Sequence, residues 1–225
     1  MANNEDIIDV YTRFKEKGFP YYNTDKKWRD EKFSVLMNTK LESIVDRRQK
    51  IIKQNPNGLS LAWSYMEHAW AIKCGKMRTP MEIWEDEEHL KKGINKILSG
   101  TFFTKREHYE VSDSDMRSML RRYSGTQMVS NFRPTAAAAM YNIFCDVDSP
   151  LEGTKAGVVW DPSMGYGGRL LGAILAGVNY VGTDPCIPTY EGLEKIMYDY
   201  GRCDKQYTLL RQGSETYIPE DESLD

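Results

Sequence analysis

Histidine and cysteine are scarce in this chain. Of 225 residues, only His68, His89 and His108 are histidine, and Cys74, Cys145, Cys186 and Cys203 never fall in a Cys-x-x-Cys spacing. That supply gives no basis for a His/Cys metal site. Four scattered thiols read as reduced, not as a disulfide framework, which suits a cytoplasmic protein. No uninterrupted apolar run approaches the about 20 residues that span a bilayer, so no membrane segment is expected. The opening Met-Ala-Asn-Asn-Glu-Asp is polar and acidic, unlike a secretory signal. There is no Gly-Lys-Ser/Thr, which excludes a Walker phosphate loop. There is also no Pro-Pro pair.

What is present describes a packed protein. Hydrophobic residues make up 40% and charged residues 28%, with 5 Trp, 14 Tyr and 7 Phe, too aromatic for disorder. The net charge of −3 hides an asymmetry: residues 1–130 hold 23 basic and 19 acidic side chains, residues 131–225 hold 7 and 14. The basic clusters are Arg47-Arg48-x-Lys50, Lys91-Lys92 and Arg121-Arg122. A mildly basic part beside an acidic one fits a nucleic-acid substrate; solvated helix faces are the plainer reading of the same clusters.

Residues 1–130 read as a helical domain. Leu41, Ile44, Val45, Ile51 and Ile52 form a helical stripe that predicts a helix over 35–54. Asn55-Pro56-Asn57-Gly58 is a turn. Ala62, Trp63, Met66 and Trp70 predict a second helix over 59–74. Thr79-Pro80-Met81-Glu82 opens a third as a capping box with proline at the first helical position, running to Leu98. A fourth runs from Ser112 or Asp113 to Gly125. The Met and Trp stripes are core packing.

From residue 131 the pattern changes. A helix over 136–144 and a loop with Pro150 and Gly153 lead to strands over 157–160, 178–183 and 206–210. Helices over 170–176 and 188–200 separate the strands. Such alternation implies parallel strands covered by helices. The fold class is α/β: an N-terminal helical region (1–130), then the first half of a Rossmann-like sheet (131–225). Three strands are few for an open sheet, and Pro219-Glu220-Asp221-Glu222-Ser223-Leu224-Asp225 reads as the approach to a fourth. A missing C-terminal half or a second chain is expected to cover the exposed edge.

The chemistry concentrates in Val158-Val159-Trp160-Asp161-Pro162-Ser163-Met164-Gly165-Tyr166-Gly167-Gly168-Arg169. An apolar strand stops at an acid, turns through glycines and opens a helix. The next strand stops at Asp184, 23 positions after Asp161. This is the layout of a nucleotide-type cofactor crevice, with a backbone turn against the ligand and an acid for ribose hydroxyls. A dinucleotide fingerprint needs a glycine at 170, where Leu170 stands. A carboxylate at 161 repels a pyrophosphate and attracts an amino-acid ammonium. S-adenosylmethionine carries that ammonium and no phosphate, so charge favours it over NAD. The competing reading of both acids is a helix N-terminal carboxylate favoured by the macrodipole.

These residues also carry a family resemblance. Asp161-Pro162-Ser163-Met164-Gly165-Tyr166-Gly167-Gly168 resembles the D-P-[FCP]-x-G-x-G-[GST] motif of the DNA amino-methyltransferases, which methylate the exocyclic amine of adenine or cytosine. Phe132-Arg133-Pro134-Thr135 resembles the motif that contributes to their methionine pocket. Tyr180-Val181-Gly182-Thr183-Asp184-Pro185 resembles their second motif, and Gln212-Gly213-Ser214 the third, which approaches the adenine ring. The form D-P-x-x-G-x-G-G-R-L-L-G-A with a later G-T-D-P is similar to methylase-like proteins encoded by bacteriophages.

The resemblance covers 131–225. It implies an S-adenosylmethionine site at Phe132, Arg133, Thr135, Asp161, Pro162, Ser163, Met164, Gly165, Gly167, Asp184, Pro185 and Ser214, and DNA as the partner of the complete enzyme. In the family the transfer step belongs to a [DNS]-P-P-[YFW] motif on the fourth strand, whose acceptors hold the amine while its ring stacks on the flipped base. The nearest aromatic-proline cluster, Phe19-Pro20-Tyr21-Tyr22, lies far ahead of the cofactor motifs. No catalytic residue is therefore assigned; the chain reads as stopping short of the catalytic motif and as unable to transfer a methyl group alone. The alternatives are a non-catalytic cofactor- or DNA-binding subunit that pairs with a second chain, and an RNA or small-molecule methyltransferase.

Overall fold

A computed structural model describes residues 3–100, 110–123, 125–145, 157–217 and 219. In chain order its elements are α1 (Asn4–Lys17), α2 (Lys26–Met37), α3 (Leu41–Ile44), β1 (Val45–Asp46), β2 (Ile51–Ile52) and α4 (Leu59–Trp63). After a 3-10 turn (Glu67–Ala71) come α5 (Pro80–Glu85), α6 (Glu87–Leu98), α7 (Asp113–Arg122) and α8 (Pro134–Phe144). The remainder is β3 (Val158–Asp161), α9 (Gly168–Ala176), β4 (Asn179–Thr183), α10 (Ile187–Tyr200), β5 (Tyr207–Leu210) and a second 3-10 turn (Ser214–Thr216). The loop with Pro150 and Gly153, and nearly all of the stretch expected to approach a fourth strand, lie outside the described residues. No helix among the described residues is long and apolar enough to cross a membrane.

The chain forms two compact units. One holds Met1–Tyr22 with Glu67–Ser130, the other Asn23–Met66 with Asn131–Asp225. The division differs from the sequence boundary at 130, because residues 23–66 fold with the strands. By this partition the first unit carries 14 basic and 14 acidic residues. The whole basic excess of residues 1–130 lies in 23–66, nine basic against five acidic.

The first unit is helical. Phe14 of α1, Trp84 of α5, Leu90 and Ile94 of α6, and Met116 and Met119 of α7 share its buried core. The capping box at Thr79 is present: Glu82 N–H donates to Thr79 Oγ1 at 3.0 Å, and Thr79 N–H to Glu82 Oε2 at 2.8 Å. The single helix predicted over 80–98 is two. Asp86 leaves helical geometry (φ −90°, ψ 103°), and its carboxylate caps α6 by accepting from His89 N–H at 3.0 Å. An aspartate that can bond the backbone two or three residues ahead competes with continued helix.

In the second unit β3, β4 and β5 form a parallel sheet in that order, with Asp161 opposite Gly182 and Thr183 opposite Leu210. The strand-helix alternation expected from the sequence is present, within one residue at each strand boundary. α8 lies on α9 at close range. A Cβ at Gly168 would overlap the Phe132 carbonyl oxygen, and one at Gly172 would stand 2.5 Å from Ala137 Cβ and 2.8 Å from the Pro134 carbonyl. Two glycines four apart make a groove on α9, filled at Gly168 by Asn131 and the Phe132 backbone and at Gly172 by the start of α8.

Two helix expectations fail in residues 23–66. The helix over 35–54 is instead the end of α2, the four-residue α3 and an antiparallel hairpin pairing Val45 with Ile52 and Asp46 with Ile51. Asp46 Oδ1 accepts from Gln49 N–H at 3.0 Å and turns the chain, and the β-branched Val45, Ile51 and Ile52 suit extended backbone. The helix over 59–74 stops at Trp63. There Ser64 Oγ donates to the Leu61 carbonyl at 2.8 Å, and the Ser64 carbonyl accepts from Arg29 Nη2 at 2.5 Å.

Candidate functional site

The glycine turn lies over the carboxyl ends of β3 and β4. Met164 N–H donates to the Thr183 carbonyl at 2.9 Å, and Thr183 Oγ1 donates to the Pro162 carbonyl at 2.9 Å. Met164 is buried and packs on Gly182, where any Cβ would collide with it. Gly165 (φ 59°) and Gly167 (φ 85°) take left-handed backbone, which only glycine adopts without strain. Asn131, which the sequence reading passed over, fastens the turn to α9: its Nδ2 donates to the Tyr166 carbonyl at 2.7 Å, and its Oδ1 accepts from Gly168 N–H at 3.2 Å.

Asp161 is 5% exposed and accepts from three donors. Its Oδ2 accepts from Arg169 Nε and Tyr180 Oη, each at 2.6 Å, and its Oδ1 accepts from Ser163 N–H at 3.1 Å. Burial alone would weaken the Arg169 charge, but the hydrogen bond and charge of Asp161 outweigh it and hold the guanidinium above its ordinary value. Burial first, then the Asp161 charge, pushes the Tyr180 hydroxyl far up. Tyr141 is raised by the same two causes. A cation in the first turn of a helix opposes the macrodipole; at Arg169 the Asp161 carboxylate offsets that.

The sequence argument took Asp161 as an unpaired carboxylate. The structure corrects this, since its charge is balanced by Arg169. The guanidinium stands before the turn, with Nη2 3.6 Å from where a Gly165 Cβ would lie and Cζ 5.9 Å from the Phe132 ring centroid. Arg169 and Tyr180 were missed as site residues. A tyrosine inside a buried strand needs a partner for its hydroxyl, which was the available signal for Tyr180.

Asp184 is 8% exposed. One oxygen accepts from Gly165 N–H at 3.1 Å and the other from Cys186 N–H at 2.9 Å. A carboxylate has about four acceptor positions. Among the described residues Asp184 therefore keeps one on each oxygen, while Asp161 keeps one in all. Asp161 and Arg169 cancel, so Asp184 supplies the net negative charge of these three groups.

The other expected residues divide. Pro185 is exposed beside Asp184, and Phe132 is 39% exposed with its carbonyl against Gly168. Arg133 instead donates from Nη2 to Gln54 Oε1 at 3.0 Å. Thr135 is buried, with its hydroxyl committed to the Asn55 carbonyl at 2.8 Å. Ser214 is half-buried at the head of the 3-10 turn after β5. The structure thus gathers Asp161–Gly167, Asp184, Pro185 and Phe132 around one turn and fastens Arg133 and Thr135 to the segment after the hairpin. Among the described residues no group of three His, Cys, Asp or Glu could hold a metal ion. Comparison of the chain with models of protein families, with characterised proteins and with solved structures finds no match.

Proposed function

We propose that this chain is the S-adenosylmethionine-binding part of a DNA amino-methyltransferase-like protein with a Rossmann-like sheet. One observation carries the reading: two acids at the ends of adjacent parallel strands converge on a single left-handed glycine turn. The two free acceptor positions of Asp184 match the two hydroxyls of a ribose. The Asp161–Arg169 pair offers both signs of charge, which suits the zwitterionic amino-acid end of the cofactor better than the bare carboxylate first inferred. Asp161 would receive the ammonium and Arg169 the carboxylate.

When bound, S-adenosylmethionine supplies a methyl group activated by its sulfonium. This chain's own residues orient it: the turn backbone sets the approach, and Asp184 and the ion pair fix its two ends. The Pro-Pro-aromatic segment that cradles a target amine in the resembling family does not occur among these 225 residues. No transfer step is assigned to this chain. DNA is proposed as the partner, and a further segment or second chain as the source of the catalytic strand.

The three donors already on Asp161 favour a second reading, a non-catalytic module in which the cluster only packs the sheet. Calorimetry with S-adenosylhomocysteine and with methylthioadenosine, two neutral thioethers of which only the first keeps the amino-acid end, separates the two. The cofactor reading expects the truncated ligand to bind at least tenfold more weakly, about 1.4 kcal/mol, with the gap closing when Asp161→Asn is combined with Arg169→Met. Equal binding of the two ligands, or none of either, favours the packing module.

A further inference from the structure

We infer that the β1–β2 hairpin is a duplex-DNA-binding ribbon that enters the major groove. Residues 46–53 set Arg47, Arg48, Lys50 and Lys53 against the single acid Asp46, a surplus of three positive charges in a chain of net −3. All four cations are exposed, and among the described residues none of them meets a carboxylate. Several other basic side chains among the described residues are differently placed. Lys91 pairs with Glu87, Lys92 with Glu88 and Lys26 with Asp30, and Arg121 lies over the Trp70 ring. Those first three are solvated helix pairs; among the described residues the hairpin cations have no such carboxylate.

The turn also keeps a strained lysine. Lys50 has φ 54° and is the one non-glycine residue with positive φ among the described residues. Glycine or asparagine would fit that backbone more easily. A lysine held there presents its charge at the tip beside Arg47, Arg48 and the exposed Gln49. Arginine and glutamine pair with guanine and adenine edges in the major groove, which admits a two-stranded ribbon. The major groove of A-form RNA is too deep and narrow for that contact. Ile51 is 46% exposed, and one such side chain supplies little apolar area for a membrane surface. The choice of DNA rests on the proposed methyl-transfer reading; the ribbon itself rests on charge and shape.

The test is fluorescence anisotropy of the full chain on a duplex of about 20 base pairs, between about 50 and 200 mM salt. Replacing Arg47, Arg48 and Lys50 together by glutamine is expected to flatten the log–log salt slope by about 0.9 for each of the three that sits on a phosphate, up to about 2.7. The control Lys26→Gln/Lys91→Gln/Lys92→Gln is expected to leave the slope unchanged, and the hairpin variant is expected to keep its S-adenosylmethionine affinity. If the triple variant melts early, Lys50→Gln alone decides, with an expected change of about 0.9. The inference is overturned if the hairpin variant keeps the wild-type slope, if the wild type ignores duplex DNA at the lowest salt, or if A-form RNA of the same sequence binds equally well. Tighter binding to phosphatidylserine vesicles than to DNA would overturn it in favour of a membrane. Loss of cofactor binding with the ribbon effect intact would remove the methyl-donor reading and leave the ribbon standing.

Discussion

Tyr180→Phe removes one oxygen from the centre of the sheet and leaves the ring in place. Tyr180 is fully buried, and its hydroxyl donates at 2.6 Å to the oxygen of Asp161 that Arg169 also serves. A hydrogen bond to a charged partner contributes about 1.5–3 kcal/mol. The space left is one oxygen, so the hydrogen bond dominates. A loss of about 2 kcal/mol in a chain of this size lowers Tm by about 4–8 °C. Differential scanning calorimetry reads the shift. A double-mutant cycle with Arg169→Met sharpens the test. Both donors serve one carboxylate oxygen, so the two losses should fail to add, with a coupling of about 0.5–3 kcal/mol. A Tm within about 1 °C of wild type, below the shift expected for even a single neutral hydrogen bond, would refute the cluster as described.

Gly172→Ala is expected to destabilise by about 1–3 kcal/mol, although alanine is the better helix former by about 1 kcal/mol, because its methyl meets Ala137 and the Pro134 carbonyl. A lower urea midpoint at unchanged m-value checks it. Asp86 caps α6 and faces His89 and Arg78, and these bonds hold its carboxyl well below the ordinary carboxylate value. The unfolded chain therefore binds the proton more readily. The contribution of Asp86 is complete above its unfolded value near 4 and declines as pH falls toward the lower folded value. Urea midpoints measured from about pH 5 downward should show a shallower acid decline in Asp86→Asn than in wild type.

Much of the sheet was legible because its signals are local. The apolar runs before Asp161 and Asp184 end at turn residues, and the strands end within a residue of where those patterns stop. The capping box at Thr79 was legible for the same reason. The hairpin was not: Leu41, Ile44, Val45, Ile51 and Ile52 satisfy a helical stripe on paper, and the turn bond from Gln49 to Asp46 decides the matter locally. Nor was the packing of residues 23–66 with the strands, which is a tertiary choice. At the site, the residue types and the turn were readable, but the balance of charge was not. Arg169 stands eight positions after Asp161, and nothing in that spacing shows its side chain folding back across the turn to the carboxylate.

The most direct measurement is a parallel calorimetric titration of the full chain with S-adenosylmethionine and with NAD. The account expects saturable binding of S-adenosylmethionine that weakens in both Asp161→Asn and Asp184→Asn, and no heat from NAD beyond dilution. Binding of NAD with S-adenosylmethionine silent would contradict it.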